Sequence, residues 1–397
     1  MKKTHSMANV LDFGADPAGI LDSTAAIQAA CDSSDHVYFP AGTYLVGHVE
    51  VTGHATLLGA GDHATTLKST CTTGNVLTFL DHGWHVRDLG FDAVADRTDG
   101  AYIYAAWKQN REFPDSTAPG AANFATIENV ALTRQYVGID LDGCWSVNIA
   151  HITAFDGTDD AVAPGGAIIR LGRETYTGPV HIRGLTARTS SPDRQPTSGI
   201  HMGHVDVVSI SDTLIIYHRK NIWVTPGPEQ FSALIEVTNS CLDTAHHGIY
   251  IEPNGGGRVL RCGFSNTWFG AHCNDAMVID GRDGVVTGLQ FSNCMFLANA
   301  GDGVRITGQG VDGLYFSNCF SGGNLGCGLR LCDGAKNVQW LGGVLGRCHE
   351  LNGNVQFGYT AEPGCTGQIA LANLAGNQAG AYQDEHDVIH RFALTEG

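Results

Sequence analysis

Three short segments in the C-terminal third of the chain share the tripeptide Phe-Ser-Asn at nearly constant spacing. They begin at Phe264, Phe291 and Phe316, so the steps between them are 27 and 25 residues. This period is too long for a helical heptad and indicates stacked structural repeats, each of which buries its apolar face only against its neighbours. The chain is therefore expected to form a solenoid.

Each repeat closes with a short strand in which apolar and polar residues alternate. From Gly199 onward these strands recur at steps of 22 to 28 residues, and fainter copies extend the pattern back to Gly42. Alternation predicts one buried and one solvated face. No repeat holds a helix-length pattern, β-branched and aromatic residues dominate, and 52 glycines supply tight corners. The predicted fold is all-β, a single-stranded right-handed parallel β-helix of roughly a dozen coils.

Two columns of equivalent residues are expected inside this repeat. At one corner, stacked amide side chains can bond to each other and to the turn backbone. The predicted corner column consists of Asn239, Asn266, Asn293 and Asn318. A second column of small side chains is expected in the interior. It consists of Cys241, Cys294 and Cys319, beside Thr267.

Composition excludes several classes of partner. The net charge of −17 argues against nucleic acid and against an anionic membrane surface. No hydrophobic run approaches the length of a membrane span, so no membrane insertion is expected. The segment Met1 to Met7 lacks the apolar core of a signal peptide. The 12 cysteines lie mostly in predicted strands without Cys-x-x-Cys pairs, which favours buried reduced thiols made in a cytosol.

The N-terminus carries a detailed motif. The run Asn-Val-Leu-Asp-Phe-Gly-Ala-Asp-Pro-Ala-Gly at 9–19 leads into a short amphipathic helix, which Asp22 or Ser23 can cap and whose Ile27 and Ala30 face inward. The segment Val-Tyr-Phe-Pro-Ala-Gly-Thr-Tyr follows at 37–44. This run resembles the pectate-lyase-like right-handed β-helix superfamily, in its bacteriophage tailspike and polysaccharide depolymerase branch.

The resemblance implies a homotrimer that binds and usually cleaves a glycan. It implies a place in the tail of a phage virion that acts at the bacterial cell surface, with synthesis in the host cytoplasm and no signal peptide. Hydrolases, lyases, epimerases and inert stalks share this scaffold, so the reaction stays open. The expected organisation is a leader or disordered segment at 1–8, an N-terminal cap at 9–45, the β-helix at 46–372 and a C-terminal tail or cap at 373–397.

Candidate site residues can be predicted from the alignment of successive coils, because equivalent positions of neighbouring coils lie about 4.8 Å apart. The position before the closing strand reads Lys220, His247, Asp275 and Asp302 in successive coils, preceded by Arg219 and His246 in the first two. On the outward face of the strand, Trp223 beside Tyr250 would make a platform for a sugar ring. The rest of this outward column is Asp140, Arg170, His201, Val278, Arg305 and Arg330.

Just beyond the strand, Glu252 and Asp280 occupy equivalent positions of adjacent coils. Carboxyl groups about 5 Å apart suit a retaining glycosidase, whereas about 6.5–9.5 Å leaves room for an inverting water. Like charges this close should raise one pKa and produce the acid that glycosidic cleavage needs. The alternative is that Asp280-Gly281 and Asp302-Gly303 are ordinary turn signals.

An irregular coil gives a second acidic candidate. An insertion between Ala154 and Ile168 contains Asp159 and Asp160, and the next coil is stretched at 190–197. Insertions in a solenoid gather on the binding side. Gly-Thr-Asp-Asp-Ala-Val is similar to the Asp-Asp segment of polygalacturonases, but the other elements of that family are missing. A solvated acidic loop or a calcium-binding loop is the alternative, and no cofactor is required.

Three functional hypotheses remain. The first is endo-acting hydrolysis of a capsule or O-antigen polysaccharide by paired carboxylates. The second is a uronate-specific lyase or epimerase in which His247 or Lys220 is the base and an arginine neutralises the carboxylate. The third is a non-catalytic glycan-binding stalk.

Because adjacent His246 and His247 point to opposite faces of a strand, no metal site is expected. The catalytic candidates are Asp159, Asp160, Glu252, Asp275, Asp280, Asp302 and His247, and the substrate-binding candidates are Trp223, Tyr250, His246, His201, Arg219, Lys220 and Arg305.

Overall fold

The computed structural model describes residues 6–106, 124–347, 351–384, 389–392 and 394. The chain divides into two compact units, Met1–Ile200 and His201–Gly397. Each unit is a parallel β-solenoid, and the two together hold about 13 turns. The prediction of an all-β solenoid of about a dozen coils is confirmed. The repeat pattern of the sequence does not indicate the division after residue 200. Every coil of a solenoid contacts only its neighbours, so the pattern within one coil does not mark where a unit ends.

Unit 1, Met1–Ile200, contains the predicted helix, which spans Thr24–Ser33. Asp22 caps it, since its Oδ1 accepts the backbone N–H of the first helical residue at 2.8 Å, whereas Ser23 makes no side-chain capping bond. Ile27 and Ala30 are buried, as predicted. The helix therefore covers apolar surface at the start of the chain.

The strands of unit 1 form two parallel sheets. The first, which we call the site sheet, pairs strands that follow one another by about one coil, and it consists of Val49–Val51, Leu77–Phe79, Ala101–Ala106, Val137–Asp142 and Ala167–Leu171. The second sheet, together with a 3-10 turn at Val10–Phe13, consists of Ala8–Asn9, Ala18–Asp22, His36–Phe39, Gly42–Val46, Thr56–Gly59, Thr65–Ser69, His85–Ala93, Thr126–Thr133, Val147–Phe155 and Val180–Arg188. The strand Ser198–Met202 spans the boundary between the units.

Unit 2, His201–Gly397, repeats the arrangement. Its site-sheet strands are Lys220–Val224, His247–Ile251, Met277–Asp280, Val304–Thr307, Leu329–Cys332, Phe357–Ala361 and Gly380–Gln383. The other strands are Val205–Ser211, Leu214–Ile216, Phe231–Thr238, Cys241–Asp243, Arg258–Leu260, Gly263–Ser265, Trp268–Gly270, Val285–Ser292, Met295–Leu297, Val311–Ser317, Phe320–Gly322, Lys336–Leu341, Val344–Leu345, Gly367–Ala370 and Ile389–Phe392. Strand pairing thus continues into the segment 373–397, and the domain boundaries expected from the sequence stay predictions.

The asparagine corner column is confirmed. Asn239, Asn266, Asn293 and Asn318 all have φ between 50° and 53°, the left-handed region that Asn tolerates better than most residues. The amide of Asn266 donates to Asn239 Oδ1 at 3.4 Å, and that of Asn293 donates to Asn266 Oδ1 at 3.3 Å. The column therefore turns the chain at the same place in each coil.

The interior cysteine column is correct for two members and wrong for the third. Cys294 and Cys319 are buried, and their column continues through Thr267 and Ser240, which are buried as well. Cys241 instead pairs in register with the outward-facing Trp268. The predicted position of Cys241 in its coil is one residue away from that of the interior column. A shift of one residue moves a strand side chain from one face of the sheet to the other.

A stacked aromatic column fills the interior of unit 2. Phe264, Phe291, Phe316 and Trp340 occupy equivalent positions, and each is at most 2 % exposed. Successive ring centroids lie 4.8, 4.5 and 5.0 Å apart with nearly parallel planes. The Phe-Ser-Asn repeat thus places one aromatic ring in the core of each coil, which fixes the register of the coils against one another.

Candidate functional site

The site sheet of unit 2 carries the predicted column of titratable residues. Lys220 pairs with His247, and the registers of the next two strand pairs place Asp275 and Asp302 at the equivalent position of the following coils. The predicted alignment is therefore confirmed. We call the outward side chains of this sheet from Lys220 to Cys332, with those that directly flank each strand, the site face.

Aromatic rings cover one end of the site face. The indole of Trp223 stacks on the ring of His201 at a centroid distance of 4.3 Å. The ammonium group of Lys220 lies 3.7 Å from the centroid of Trp223 and 4.6 Å from that of Tyr250. Trp223 Nε1 also donates to Glu252 Oε1 at 2.6 Å. Protein groups therefore occupy the ring faces of Trp223, and a sugar would meet the edges of these rings first.

His247 lies next along the column. Its Nδ1 is 2.9 Å from the backbone carbonyl oxygen of Asp275; because a carbonyl only accepts, Nδ1 carries the hydrogen. Burial lowers the pKa of His247 to about 4, so at pH 7 the ring is neutral and Nε2 holds a lone pair. The backbone carbonyl of Arg219 accepts the N–H of His247, and the N–H of His246 donates to His218. Substrate contacts of the Arg219 and His246 side chains stay predictions.

Asp275 and Asp302 occupy successive rungs of the ladder, about 4.8 Å apart between Cα atoms. The N–H of Asp302 donates to Asp275 Oδ1, and the N–H of Cys327 donates to Asp302 Oδ1, both at 2.7 Å. Arg330 Nε lies 2.5 Å from Asp302 Oδ2, whereas Arg305 Nη1 lies 3.8 Å from Asp275 Oδ2. Burial raises the pKa of Asp275, and the charge of Asp302 raises it further against the hydrogen bond from the Asp302 N–H. The two carboxyl groups therefore have unlike environments.

Glu252 and Asp280 lie at the opposite end of the strands. Lys220 Nζ is 3.1 Å from Glu252 Oε1, and Arg282 Nη2 is 2.5 Å from Asp280 Oδ2. Burial opposes ionisation of Asp280, but the hydrogen bonds and charge of Arg282 outweigh it and lower the pKa of that carboxyl. The expectation of a raised pKa is therefore wrong for Asp280, because the sequence argument did not include Arg282.

The insertions of unit 1 are joined by the predicted acidic pair. Asp159 Oδ1 accepts the N–H of Ala161 at 2.7 Å, and its Oδ2 accepts the N–H of Gln195 at 2.9 Å. The hydroxyl of Thr197 donates to Asp160 Oδ1. The bonds from Gln195 and Thr197 tie the loop after Phe155 to the loop at 190–197. A catalytic role for either carboxylate stays a prediction.

The outward column predicted from the sequence includes Asp140 and Arg170 but not Asp142, which joins them in a charged cluster of unit 1. Asp140 and Asp142 project from the same face of one strand, and both are buried. Arg170 Nη2 lies 2.5 Å from Asp140 Oδ2, and Asp142 Oδ1 accepts the N–H groups of Glu174 and Thr175. Burial raises the pKa of Asp142. The available signal was the Asp-x-Asp pattern, which puts two carboxyl groups on one face of a strand opposite an arginine of the next coil.

A cavity of about 740 Å³ lies elsewhere in unit 2, along the asparagine column beside Trp268 and Met295. Its lining includes one carboxylate, that of Asp212, among the described residues. Acid–base chemistry needs a second titratable partner. We therefore place the candidate chemistry on the site face and not in this cavity.

The described ranges contain neither a metal-binding cluster nor a membrane-spanning helix. No three His, Cys, Asp or Glu side chains converge there as a metal site would require. No helix in these ranges has the length and hydropathy of a membrane span. No disulfide joins the cysteines that the structure describes.

Comparison with known proteins identifies the fold class as a right-handed parallel β-helix. Residues 7–96 match the family described as Rhamnogalacturonase A/epimerase, pectate lyase-like, which confirms the resemblance stated from the N-terminal motif. No curated protein sequence matches the chain.

Solved structures with a similar fold include two tailspikes and one glycosidase. The tailspike of E. coli bacteriophage HK620, a double mutant in complex with a pentasaccharide, has a TM-score of 0.64 and 11% identity, with 98% of this chain and 78% of that chain covered. Tailspike protein 3 of bacteriophage CBA120 has a TM-score of 0.57 and 13% identity, with 96% and 60% covered. The GH87 alpha-1,3-glucanase of Streptomyces thermodiastaticus has a TM-score of 0.52 and 15% identity, with 100% and 69% covered. At these identities the likeness concerns the fold.

Proposed function

We propose that this protein is a polysaccharide depolymerase that hydrolyses glycosidic bonds within a bacterial capsule or O-antigen, at the site face of unit 2. The observation that carries the proposal is the pair Asp275 and Asp302. They lie on successive rungs, one with a raised pKa and the other in a close ion pair with Arg330. Two carboxyl groups whose environments differ in this way supply an acid and an anion at the same pH.

The rung spacing favours the retaining mechanism, because successive rungs lie about 4.8 Å apart and retaining enzymes hold their two carboxyl groups about 5 Å apart. Protonated Asp275 would give its proton to the glycosidic oxygen while the Asp302 carboxylate bonds to the anomeric carbon and the leaving sugar departs. Asp275, now anionic, would then take a proton from water, whose oxygen displaces Asp302. Arg330 would stabilise the ionised form of Asp302 throughout.

The neighbouring side chains would hold the sugar chain. Trp223 and Tyr250 offer aromatic edges, and Lys220 offers N–H donors between them. Arg305, which is 45% exposed beside Asp275, would donate to a sugar hydroxyl. His201, which stacks on Trp223, extends this row by one coil.

A uronate-specific lyase or epimerase is the second candidate, and the state of His247 favours it. The ring is neutral at pH 7 and its Nε2 lone pair can accept a proton. The same chemistry needs a cation to neutralise the carboxylate beside the abstracted proton, and Arg305 would serve.

The biological setting is part of the proposal. The fold is that of a tailspike solved with a pentasaccharide, which supports a homotrimer on a phage tail that recognises a glycan at the bacterial surface. A stalk that only binds the glycan would use the same face without turnover.

The test is incubation of the protein with a panel of capsular and O-antigen polysaccharides, followed by measurement of reducing ends and of ultraviolet absorbance by unsaturated products. Hydrolysis gives reducing ends without absorbance, and elimination gives both. Asp275→Asn and Asp302→Asn should each lower turnover by about 10³-fold or more, because each removes one half of the acid–nucleophile pair. The matched control is Asp312→Asn, an exposed carboxylate outside the site face that bonds to Asn337.

The outcomes separate the hypotheses. Turnover that survives both asparagine substitutions contradicts the assignment of this pair. Loss of unsaturated product in His247→Gln, with Asp302→Asn still active, supports the lyase. Binding without any product, and without epimerised sugars in the proton NMR spectrum of the polymer, supports the stalk.

A further inference from the structure

The cavity of about 740 Å³ in unit 2 is lined by amide groups on one side and by an outward column of mostly apolar side chains on the other. The amides belong to the corner column, at Asn239, Asn266 and Asn293 of three successive coils, and all three are exposed. The outward column pairs in register and consists of Leu214, Cys241, Trp268 and Met295. Both rows repeat once per coil, at steps of about 4.8 Å. We call this cavity the amide groove.

The amides of the groove keep hydrogen-bonding capacity for a ligand. Asn266 donates to Asn239 at 3.4 Å, and Asn293 donates to Asn266 at 3.3 Å. Each of these bonds uses one of the two hydrogens of the donating amide and one lone pair of the accepting oxygen. The other hydrogen and the other lone pair face solvent. The row therefore offers donors and acceptors side by side, and a sugar hydroxyl group can use both.

Trp268 supplies the aromatic part of the groove. Among the described residues neither a second ring nor a cation stacks on its indole, in contrast to Trp223, whose ring faces His201 and Lys220 occupy. A Cβ atom at Gly270 would lie 2.5 Å from Trp268 Nε1 and 2.6 Å from its Cε2. The indole thus lies against its own strand, in space that the glycine leaves open. An aromatic ring beside hydrogen-bonding groups is a suitable support for a sugar ring.

From these contacts we infer that the amide groove is a second glycan-binding site, which holds a neutral stretch of polysaccharide without cleaving it. Its volume lies within the range of ligand pockets, about 300–1,000 Å³. The lining residues that the structure describes include one carboxylate and no cation, so hydroxyl groups and the aromatic ring carry the contact. A row that repeats in each coil suits a ligand whose own units repeat. The inference goes beyond the proposed hydrolysis, because the groove lacks the second carboxyl group that this reaction needs.

The test uses full-length Asp302→Asn protein labelled with fluorotryptophan, so that the probes stay intact. The probes are neutral oligosaccharides prepared from O-antigen and capsular polysaccharides. In the fluorine NMR spectrum, Trp268→Phe identifies the Trp268 resonance, which should shift when an oligosaccharide covers the indole. The same shift should occur when Trp223→Phe is added, because the groove does not include the site face.

Affinity is measured by calorimetry with Trp223→Ala protein, in which the site face is weakened. Addition of Trp268→Ala should reduce the remaining affinity by about tenfold or more, since aromatic anchors dominate contacts of this kind. Gly270→Ala keeps every lining residue but takes the space of the indole, so it should have the same effect. Tyr315→Ala is the matched control, because it removes an exposed ring outside the groove, and it should change affinity by less than about twofold.

Two results overturn the inference. The first is a Trp268 resonance that shifts with none of the oligosaccharides. The second is dissociation of an oligomer by Trp268→Ala in analytical ultracentrifugation, which would assign the groove to a second copy of the chain. Groove binding in a protein that has no hydrolytic turnover supports the inference and overturns the proposed hydrolysis, whereas turnover without groove binding does the reverse. The failures of the two proposals are thus distinguishable.

Discussion

Replacement of Phe291 by alanine tests whether the stacked aromatic column holds the coils in register. The ring is 1% exposed and lies between Phe264 and Phe316, at centroid distances of 4.8 and 4.5 Å. Truncation of a buried Phe to Ala costs about 3–5 kcal/mol. Each stacked pair contributes about 0.5–1.5 kcal/mol beyond the buried area. Because two pairs are lost at once, we expect Phe291→Ala to lie near the upper end, at about 4–5 kcal/mol.

The assay is denaturant unfolding combined with hydrogen exchange. In a solenoid the coils interact only with their neighbours, so loss of exchange protection should concentrate in the coils on either side of residue 291. Phe291→Leu keeps most of the volume and should cost about 1–2 kcal/mol. Tyr315→Ala is the matched control, since this ring is 40% exposed on the outward face of the adjacent strand and should change stability by about 0.5 kcal/mol or less. If Phe291→Ala destabilised no more than Tyr315→Ala, the column would not be what joins these coils.

Three further predictions follow from single contacts. His218 is buried and its pKa is lowered to about 4 by that burial, whereas an unfolded His titrates near 6.5. Stability should therefore fall by about 3 kcal/mol as the pH drops from about 6.5 to about 4, and His218→Gln should remove that part of the slope in denaturation curves. Asn266 has a φ of 50°, so Asn266→Ala should cost about 1 kcal/mol more than Asn266→Gly in thermal unfolding; equal costs would refute a backbone origin. Asp159→Ala removes one bond that joins the two insertions, from the Gln195 N–H, and one within the first insertion, from the Ala161 N–H, so trypsin should cleave after Arg194 about tenfold faster, while the exposed Asp193→Ala is the control; unchanged cleavage would contradict the tie.

The repeat pattern of the sequence predicts the coils because hydrophobic alternation and corner residues act locally. Asn266 and its equivalents mark the corner in the sequence and occupy it in the structure. The alignment of the column from Lys220 to Asp302 is likewise confirmed. Parallel strands that pair in register bring residues one coil apart in the sequence to equivalent positions of neighbouring coils. Cys241 shows the limit of this reasoning, because one residue of phase decides which face a side chain takes.

Ion pairing on the site face could not be predicted in the same way. Arg282 reaches back two residues to Asp280, and Lys220 reaches across the strands to Glu252 between two aromatic rings. Such contacts depend on the rotamers of long side chains and on the space that neighbouring side chains leave for them. Asp142 was missed for a related reason, because the raised pKa comes from burial, which a strand pattern alone does not measure.

The asparagine corner gives the chain a modular character. Since Asn266 and Asn293 hold the same backbone conformation at the same corner, the stretch between them is a cassette, one whole turn of 27 residues. Excision of that cassette would join two equivalent corner positions and shorten the solenoid by one turn. It would also take away Asp275 and leave His247 beside Asp302. The number of cassettes thus sets the length of the site sheet, and the turn that is removed decides which side chains of the site face remain.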